Sequence, residues 1–188
     1  MCPKKGVMAK NSARLVDQIR EDDPIVKYEG DGVQILRTRA KPVREVTGDY
    51  ADLVARMAEI MHEANGVGLA APQIGILQRL FIYDAGDGLQ ALINPVIMQR
   101  KGEQIGSEGC LSLPGLYGDV ARANEVVVKG LDETGKAVRI RAEGLKARVI
   151  QHEYDHLDGV LFIDHADPDT LHYASADSDE AEEPENRE

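Results

Sequence analysis

The chain has 188 residues, 43% of them apolar, enough for one globular domain with a sizeable core. Its net charge of −11 sits mostly at one end: from Asp164 onward there are ten acidic residues and one arginine, leaving −2 for residues 1–163. This balance excludes a phosphate-driven nucleic-acid binder, which needs clustered Lys and Arg, and Cys2 and Cys110 are too few for a disulfide framework.

Lys4, Lys5 and Lys10 are followed by no apolar signal core, and no stretch approaches the ~18 uninterrupted apolar residues of a membrane span, so a soluble, unexported chain in a reducing compartment is expected. Ser12 to Arg20 suits a short helix, and Glu29-Gly30-Asp31-Gly32 is turn chemistry. From Thr47, the residues Tyr50, Leu53, Val54, Met57, Ile60, Met61 and Ala64 recur at helical spacing, and Gly66 follows where a C-terminal cap belongs. His62 on this helix reads as a surface or rim histidine. Apolar, β-prone runs follow at Arg79 to Tyr83 and Ala91 to Met98; Glu125 to Leu131 and Ala137 to Arg141, joined by Asp132-Glu133-Thr134-Gly135, read as a β-hairpin. A second helix is expected from about Gly144, ending before Gly159. Beyond Asp164 the Asp, Glu, Ser, Ala and Pro content marks a solvated tail.

The chemistry concentrates on the second helix. His152-Glu153-Tyr154-Asp155-His156 puts two imidazoles one turn apart on one face, where both reach a single metal ion. Water activated at a metal needs a base to take its proton and later return it, and the adjacent Glu153 suits that task. A catalytic tetrahedral site wants a third protein ligand and one open position. The extended zinc-protease pattern is followed through Gly159 but ends on Phe162, which cannot bind metal. A glutamate from the acidic tail would lack an apolar face to dock, and Asp164 and His165 read as surface residues. Cys110, in Ser107-Glu108-Gly109-Cys110-Leu111-Ser112, is the remaining donor; spacing alone leaves it balanced between a metal thiolate and a buried, inert cysteine. The segment Asn65-Gly66-Val67-Gly68-Leu69-Ala70-Ala71-Pro72-Gln73 lacks the Lys-Ser/Thr of a phosphate loop. Its small residues instead suit close approach of a peptide backbone, with Gln73 as a directed donor.

Taken in order, Gly66-Val67-Gly68-Leu69-Ala70-Ala71-Pro72-Gln73, Glu108-Gly109-Cys110-Leu111-Ser112 and Gln151-His152-Glu153-Tyr154-Asp155-His156-Leu157 resemble the three motifs of the peptide deformylases. The resemblance implies an α+β fold with antiparallel strands packed around a central helix carrying the His-Glu-x-x-His motif. It implies a metal-dependent hydrolase that removes the formyl group from the formylmethionine of new polypeptides and releases formate. Cys110, His152 and His156 would hold one divalent ion, ferrous iron in the first place and zinc in the second, with Glu153 as general acid/base. Gln73 and the Leu111 backbone N–H would stabilise the oxyanion. Val67, Gly68 and Gly109 would bind an extended substrate backbone, and Leu145 and Val149 would shape a pocket for the methionine side chain. The implied partners are nascent formylmethionyl chains, met at the ribosome in a bacterial cytoplasm rather than an organelle, with neither membrane nor nucleic-acid sequence recognition.

The resemblance divides the chain into an N-terminal extension (1–32), a catalytic domain (33–164) and an acidic, disordered tail (165–188). Where many members carry Pro-Asp-Pro-x-Leu-Arg, this chain has Asp31-Gly32-Val33-Gln34-Ile35-Leu36-Arg37, which affects N-terminal packing and not the catalytic set. Arg148 falls near the pocket with its direction open. Two other classes stay in view: a broad metallopeptidase, disfavoured by the missing downstream ligand, and a non-catalytic metal module, which would need a fourth protein ligand and no Glu153.

Overall fold

The computed structural model describes residues 14–174. After a 3₁₀ turn at Leu15–Gln18 come α1 (Asp31–Leu36), α2 (Asp49–Glu63), β1 (Gly68–Ala70), a 3₁₀ turn (Ala71–Ile74), β2 (Leu80–Tyr83), β3 (Gln90–Lys101), β4 (Gln104–Cys110), β5 (Leu113–Arg122), β6 (Glu125–Leu131), β7 (Ala137–Glu143), α3 (Gly144–Leu157), two further 3₁₀ turns and β8 (His172–Tyr173). The strands form two antiparallel sheets, β1-β2-β3-β6-β7 and β4-β5-β8.

β2 explains the placement of the helices. Its side chains alternate, and both sets are buried: Leu80 and Ile82 pack with the α2 residues Leu53, Met57 and Met61, while Phe81 and Tyr83 pack with the α3 residues Ala147, Val149 and Ile150. A strand covered on both faces reads as an unbroken apolar run, as Leu80-Phe81-Ile82-Tyr83 does. The large sheet therefore separates the two long helices. Leu53 is fully buried, and its truncation to alanine would cost about 2–5 kcal/mol.

α2 stops through a Schellman closure. Gly66 N–H donates to Met61 O (2.8 Å) and Asn65 N–H to His62 O (3.0 Å), with Asn65 at φ +53°. The left-handed cap is thus Asn65 and not the expected Gly66. Gly66 is needed for space instead, since a Cβ there would stand 2.8 Å from the Leu111 side chain. His62 is exposed, as read from the sequence. The β6–β7 hairpin forms with Leu131 opposite Ala137, and Asp132 Oδ1 accepts from Thr134 N–H (2.9 Å) and Lys136 N–H (2.9 Å).

Three expectations are corrected. The short N-terminal helix is a single 3₁₀ turn at Leu15–Gln18, with Ser12 outside the described residues. Ile19, Ile25 and Val26 are buried in the core, so the ordered body reaches well N-terminal of residue 33. At the other end, Ala166 is buried, Asp167 N–H donates to Asp119 O (2.9 Å), and β8 pairs with β5 through Leu116–Tyr173 and Tyr117–His172. The packed body therefore runs through residue 174, and the remainder of the expected tail, 175–188, lies outside the described residues.

The β4–β5 hairpin was not anticipated. Its glycines weaken a strand pattern but are required by contact: a Cβ on Gly109 would meet the Tyr117 ring at 2.7 Å, and one on Gly118 would meet Leu171 at 2.8 Å.

Candidate active site

α3 lies with its apolar face on the large sheet, and its other side is hydrogen-bonded to β4 and β5. His152 and His156, four residues apart on α3, face Cys110 at the end of β4. One donor atom from each of the three falls within 4.8 Å of the others, and Cys110 Sγ is 3.3 Å from His156 Nε2. Burial pushes the Cys110 thiol up, but the imidazoles of His156 and His152 beside it outweigh this and hold it well below the usual thiol range. One thiolate and two imidazoles suit Zn²⁺ or Fe²⁺. Among the described residues no fourth His, Cys, Asp or Glu joins them, which is the donor count of an open catalytic site and not of a closed structural one.

Glu153 points into the same region. Its carboxylate is buried, and Oε2 has no hydrogen-bond partner. Burial pushes its pKa up to about 7, against the opposing pull of His152 and His156. Gly68 makes room for it: a Cβ there would stand 2.3 Å from Glu153 Oε1. The first motif's glycine is thus a steric requirement of the third motif's glutamate.

Gln73 is 2% exposed in the 3₁₀ turn after β1. Its Oε1 accepts from Ala70 N–H (2.8 Å), which fixes the amide so that Nε2 faces Ser112 Oγ (3.3 Å) and Cys110 Sγ (3.5 Å). Leu111 and Ser112 form the turn between β4 and β5, and Cys110 pairs with Leu113 across it. A cleft of about 600 Å³ opens over these groups, and Val67, Gly68, Gly109, Leu111, Leu145 and Val149 all line it. The residues given catalytic, substrate-binding or metal-binding roles in the sequence therefore lie around one cleft.

Behind His152 lies a cluster that sequence reasoning missed. Glu108 Oε2 contacts His152 Nδ1 (2.9 Å) and accepts from Arg122 Nη2 (3.0 Å); Oε1 accepts from Arg122 Nε (2.9 Å) and Arg148 Nη1 (2.8 Å). Burial raises the Glu108 pKa, but His152 and Arg122 together reverse this and bring it to about 2. With an ionised carboxylate on Nδ1, His152 keeps its proton there and presents Nε2 to the donor cluster. Arg148 also donates to Gly106 O (3.1 Å) and Val120 O (2.9 Å), so its open direction resolves into the wall behind the cleft. Phe162, which stands where an extended protease would carry its third histidine, is buried with its ring stacked 6.2 Å from His152. His165 is half exposed and reaches Asp155 at 3.3 Å, away from the donor cluster.

The fold and the three-donor cluster define a metallohydrolase centre, and comparison with known proteins agrees. Residues 23–171 match the model of the polypeptide deformylase family. The chain is 52% identical over 143 residues to the peptide deformylase of Halothermothrix orenii, covering 75% of this chain and 93% of that one. Among solved structures it is similar to peptide deformylase from Thermus thermophilus (48% identity, TM-score 0.71, 75% and 83% of the two chains) and to that of Synechococcus elongatus in complex with actinonin (38%, 0.73, 80% and 85%). The chain belongs to the polypeptide deformylase family, whose members are metal-dependent hydrolases acting on the formylated N-terminus of new polypeptides.

Proposed function

We propose that this cleft hydrolyses the N-formyl group of formylmethionyl polypeptides with Glu153 as general acid/base, and the observation that carries this is the unpartnered, buried Glu153 Oε2 beside Cys110, His152 and His156. A divalent ion held by those three residues, ferrous iron in our assignment and zinc as the alternative, would polarise the carbonyl and acidify water.

The chain's own groups account for the proton movements. Glu153, with a pKa near 7, takes a proton from water as the water oxygen adds to the formyl carbon. Gln73 Nε2 and the Leu111 N–H donate to the formyl oxygen as it gains charge. The C–N bond then breaks, Glu153 delivers the proton to the amine nitrogen, and formate and a free N-terminus result. The backbones of Val67, Gly68 and Gly109 hold the peptide extended, while Leu145 and Val149 receive the methionine side chain. In this reading a formyl hydrogen takes the place of a side-chain carbon at the reacting centre, which would favour formyl over longer acyl chains.

Cellular encounter with nascent chains at the ribosome in a bacterial cytoplasm follows from this substrate, and no helix among the described residues is long and apolar enough to cross a membrane. The test is formate release from a formyl-Met peptide beside cleavage of the same peptide unformylated, together with metal analysis after anaerobic purification. Formate release, an intact unformylated peptide and stoichiometric iron are expected; cleavage of internal bonds would replace this reading with a general peptidase. Iron would also make activity sensitive to oxygen, and activity persisting after prolonged aeration with iron still bound would refute that assignment.

A further inference from the structure

The segment Ile25 to Tyr28 lies outside all three motifs, yet it grips both proposed oxyanion donors. Val26 N–H donates to Gln73 O (2.7 Å), and Tyr28 N–H donates to Ser112 O (2.8 Å). Between them, Lys27 Nζ donates to Leu111 O (3.2 Å). Both carbonyls of the Leu111–Ser112 turn are therefore held from one short piece of chain. Gln73 Nε2 on Ser112 Oγ (3.3 Å) closes the ring of contacts.

The segment is itself fixed. Ile25 and Val26 are buried, and the following turn folds back so closely that a Cβ on Gly32 would lie 2.0 Å from Lys27 O. Lys27 thus starts from a rigid backbone and extends its ammonium to the one carbonyl in the turn that no backbone N–H of this segment reaches. That carbonyl belongs to the central peptide of the turn, whose orientation is the softest degree of freedom in a two-residue connection. The Leu111 N–H sits on the preceding peptide unit and shares the Leu111 Cα with this carbonyl, so a displacement of the central peptide is passed through that atom to the Leu111 N–H and through the Ser112 Cα to the hydroxyl that faces Gln73.

We infer that Lys27 is a positioning residue for the oxyanion donors, acting through the Leu111 carbonyl; this rests on the reading of Leu111 N–H and Gln73 as those donors. Donors preorganised toward developing charge act mainly on the transition state, so loosening them lowers kcat more than it raises KM. Lys27 lies at the cleft wall and not among the metal-binding residues, so metal content is unaffected.

The experiment compares Lys27→Met and Lys27→Arg with the parent as metal-loaded enzyme. For Lys27→Met we expect kcat to fall about ten- to a hundredfold, KM to change less than about twofold and Tm to drop by about 2–4 °C, the loss of one hydrogen bond. Lys27→Arg, which keeps a donor, should recover most of kcat. In zinc-loaded protein, the backbone amide resonances of Leu111 and Ser112 should shift in Lys27→Met while those of His152 and His156 stay in place. Stationary Leu111 and Ser112 amides would overturn the positioning role and leave the donor reading intact. Displaced amides with an unchanged kcat would instead overturn the donor reading, and the proposal with it.

Discussion

Two buried glutamates flank His152, and their environments are opposite. Glu108, at the back, has all its acceptor capacity engaged by His152, Arg122 and Arg148, and it titrates near 2. Glu153, at the front, has an oxygen without a partner and titrates near 7. Both are shut away from water, so burial does not distinguish them; the neighbours do. A carboxylate surrounded by fixed donors is held ionised and serves as an orienting support, whereas one left unsatisfied at the floor of a cleft is available to exchange a proton near neutral pH.

The largest effects should come from the front. Glu153→Gln is expected to lower kcat by about 100- to 10,000-fold with full metal content, while Cys110→Ala should lose metal and activity together; a metal-replete, active Cys110→Ala enzyme would break the ligand assignment. Gln73→Ala should cost about 100- to 1,000-fold in kcat with little change in KM and none in metal. An unchanged kcat with a raised KM would make Gln73 a substrate-positioning group.

The back should behave as structure. Glu108→Gln leaves Arg148 buried beside a neutral group, while Arg122 keeps Asp155 (2.5 Å), and should destabilise the fold by about 3–5 kcal/mol, with metal affinity reduced about 10- to 100-fold through misoriented His152. The pH dependences have opposite signs. Glu108 has a folded pKa of about 2 against an ordinary 4.5, so its stabilisation is present above about pH 4.5 and is lost as pH falls toward 2. Glu153 is raised to about 7, so in metal-free protein its penalty is absent below pH 4.5 and grows as pH rises to 7. Thermal melts of the metal-free variants from pH 3 to 8 should therefore show Glu153→Gln more stable than the parent at pH 8 and Glu108→Gln less stable; equal shifts in the same direction would remove the distinction.

This asymmetry also decides what could be read from the sequence. α2, α3 and the β6–β7 hairpin declare themselves through helical spacing and an Asp-x-x-Gly turn, which are local patterns that depend on no partner far along the chain. The donor cluster and Glu153 were legible because one helical turn brings His152, Glu153 and His156 together locally. Glu108 was not, since its partners Arg122 and Arg148 are distant in sequence and meet it only once β4 and β5 pair. A trace of it was present: Arg148 lies one helical turn before His152 and on the same face, and a cation on the face that carries the metal donors implies an anion opposite. The β4–β5 hairpin was hidden by its glycines, whose reason is tertiary crowding at Gly106, Gly109 and Gly118 and a left-handed backbone at Gly115 (φ +74°). Lys27 gave no signal, because its task depends on a carbonyl 84 residues away.

The smallest effect concerns the wall that carries Glu108. β5 is supported on its outer edge by Thr170, whose Oγ1 accepts from Asp119 N–H (2.8 Å), by Leu171 against Gly118, and by β8. Ending the chain after Asp169 removes all three and should lower stability by about 1–3 kcal/mol, the sum of a few hydrogen bonds and one partly buried leucine. Ending it after Ala174 keeps them and removes only the acidic segment, whose composition lacks the apolar groups to pack, so Tm should change by less than about 1 °C. Because this support lies behind Glu108 and not in front of Glu153, the shorter chain should lose metal affinity before it loses turnover per bound metal. Melting curves and metal titrations of the two truncations decide it: equal stability would mean that β4 and β5 hold Glu108 without their third strand.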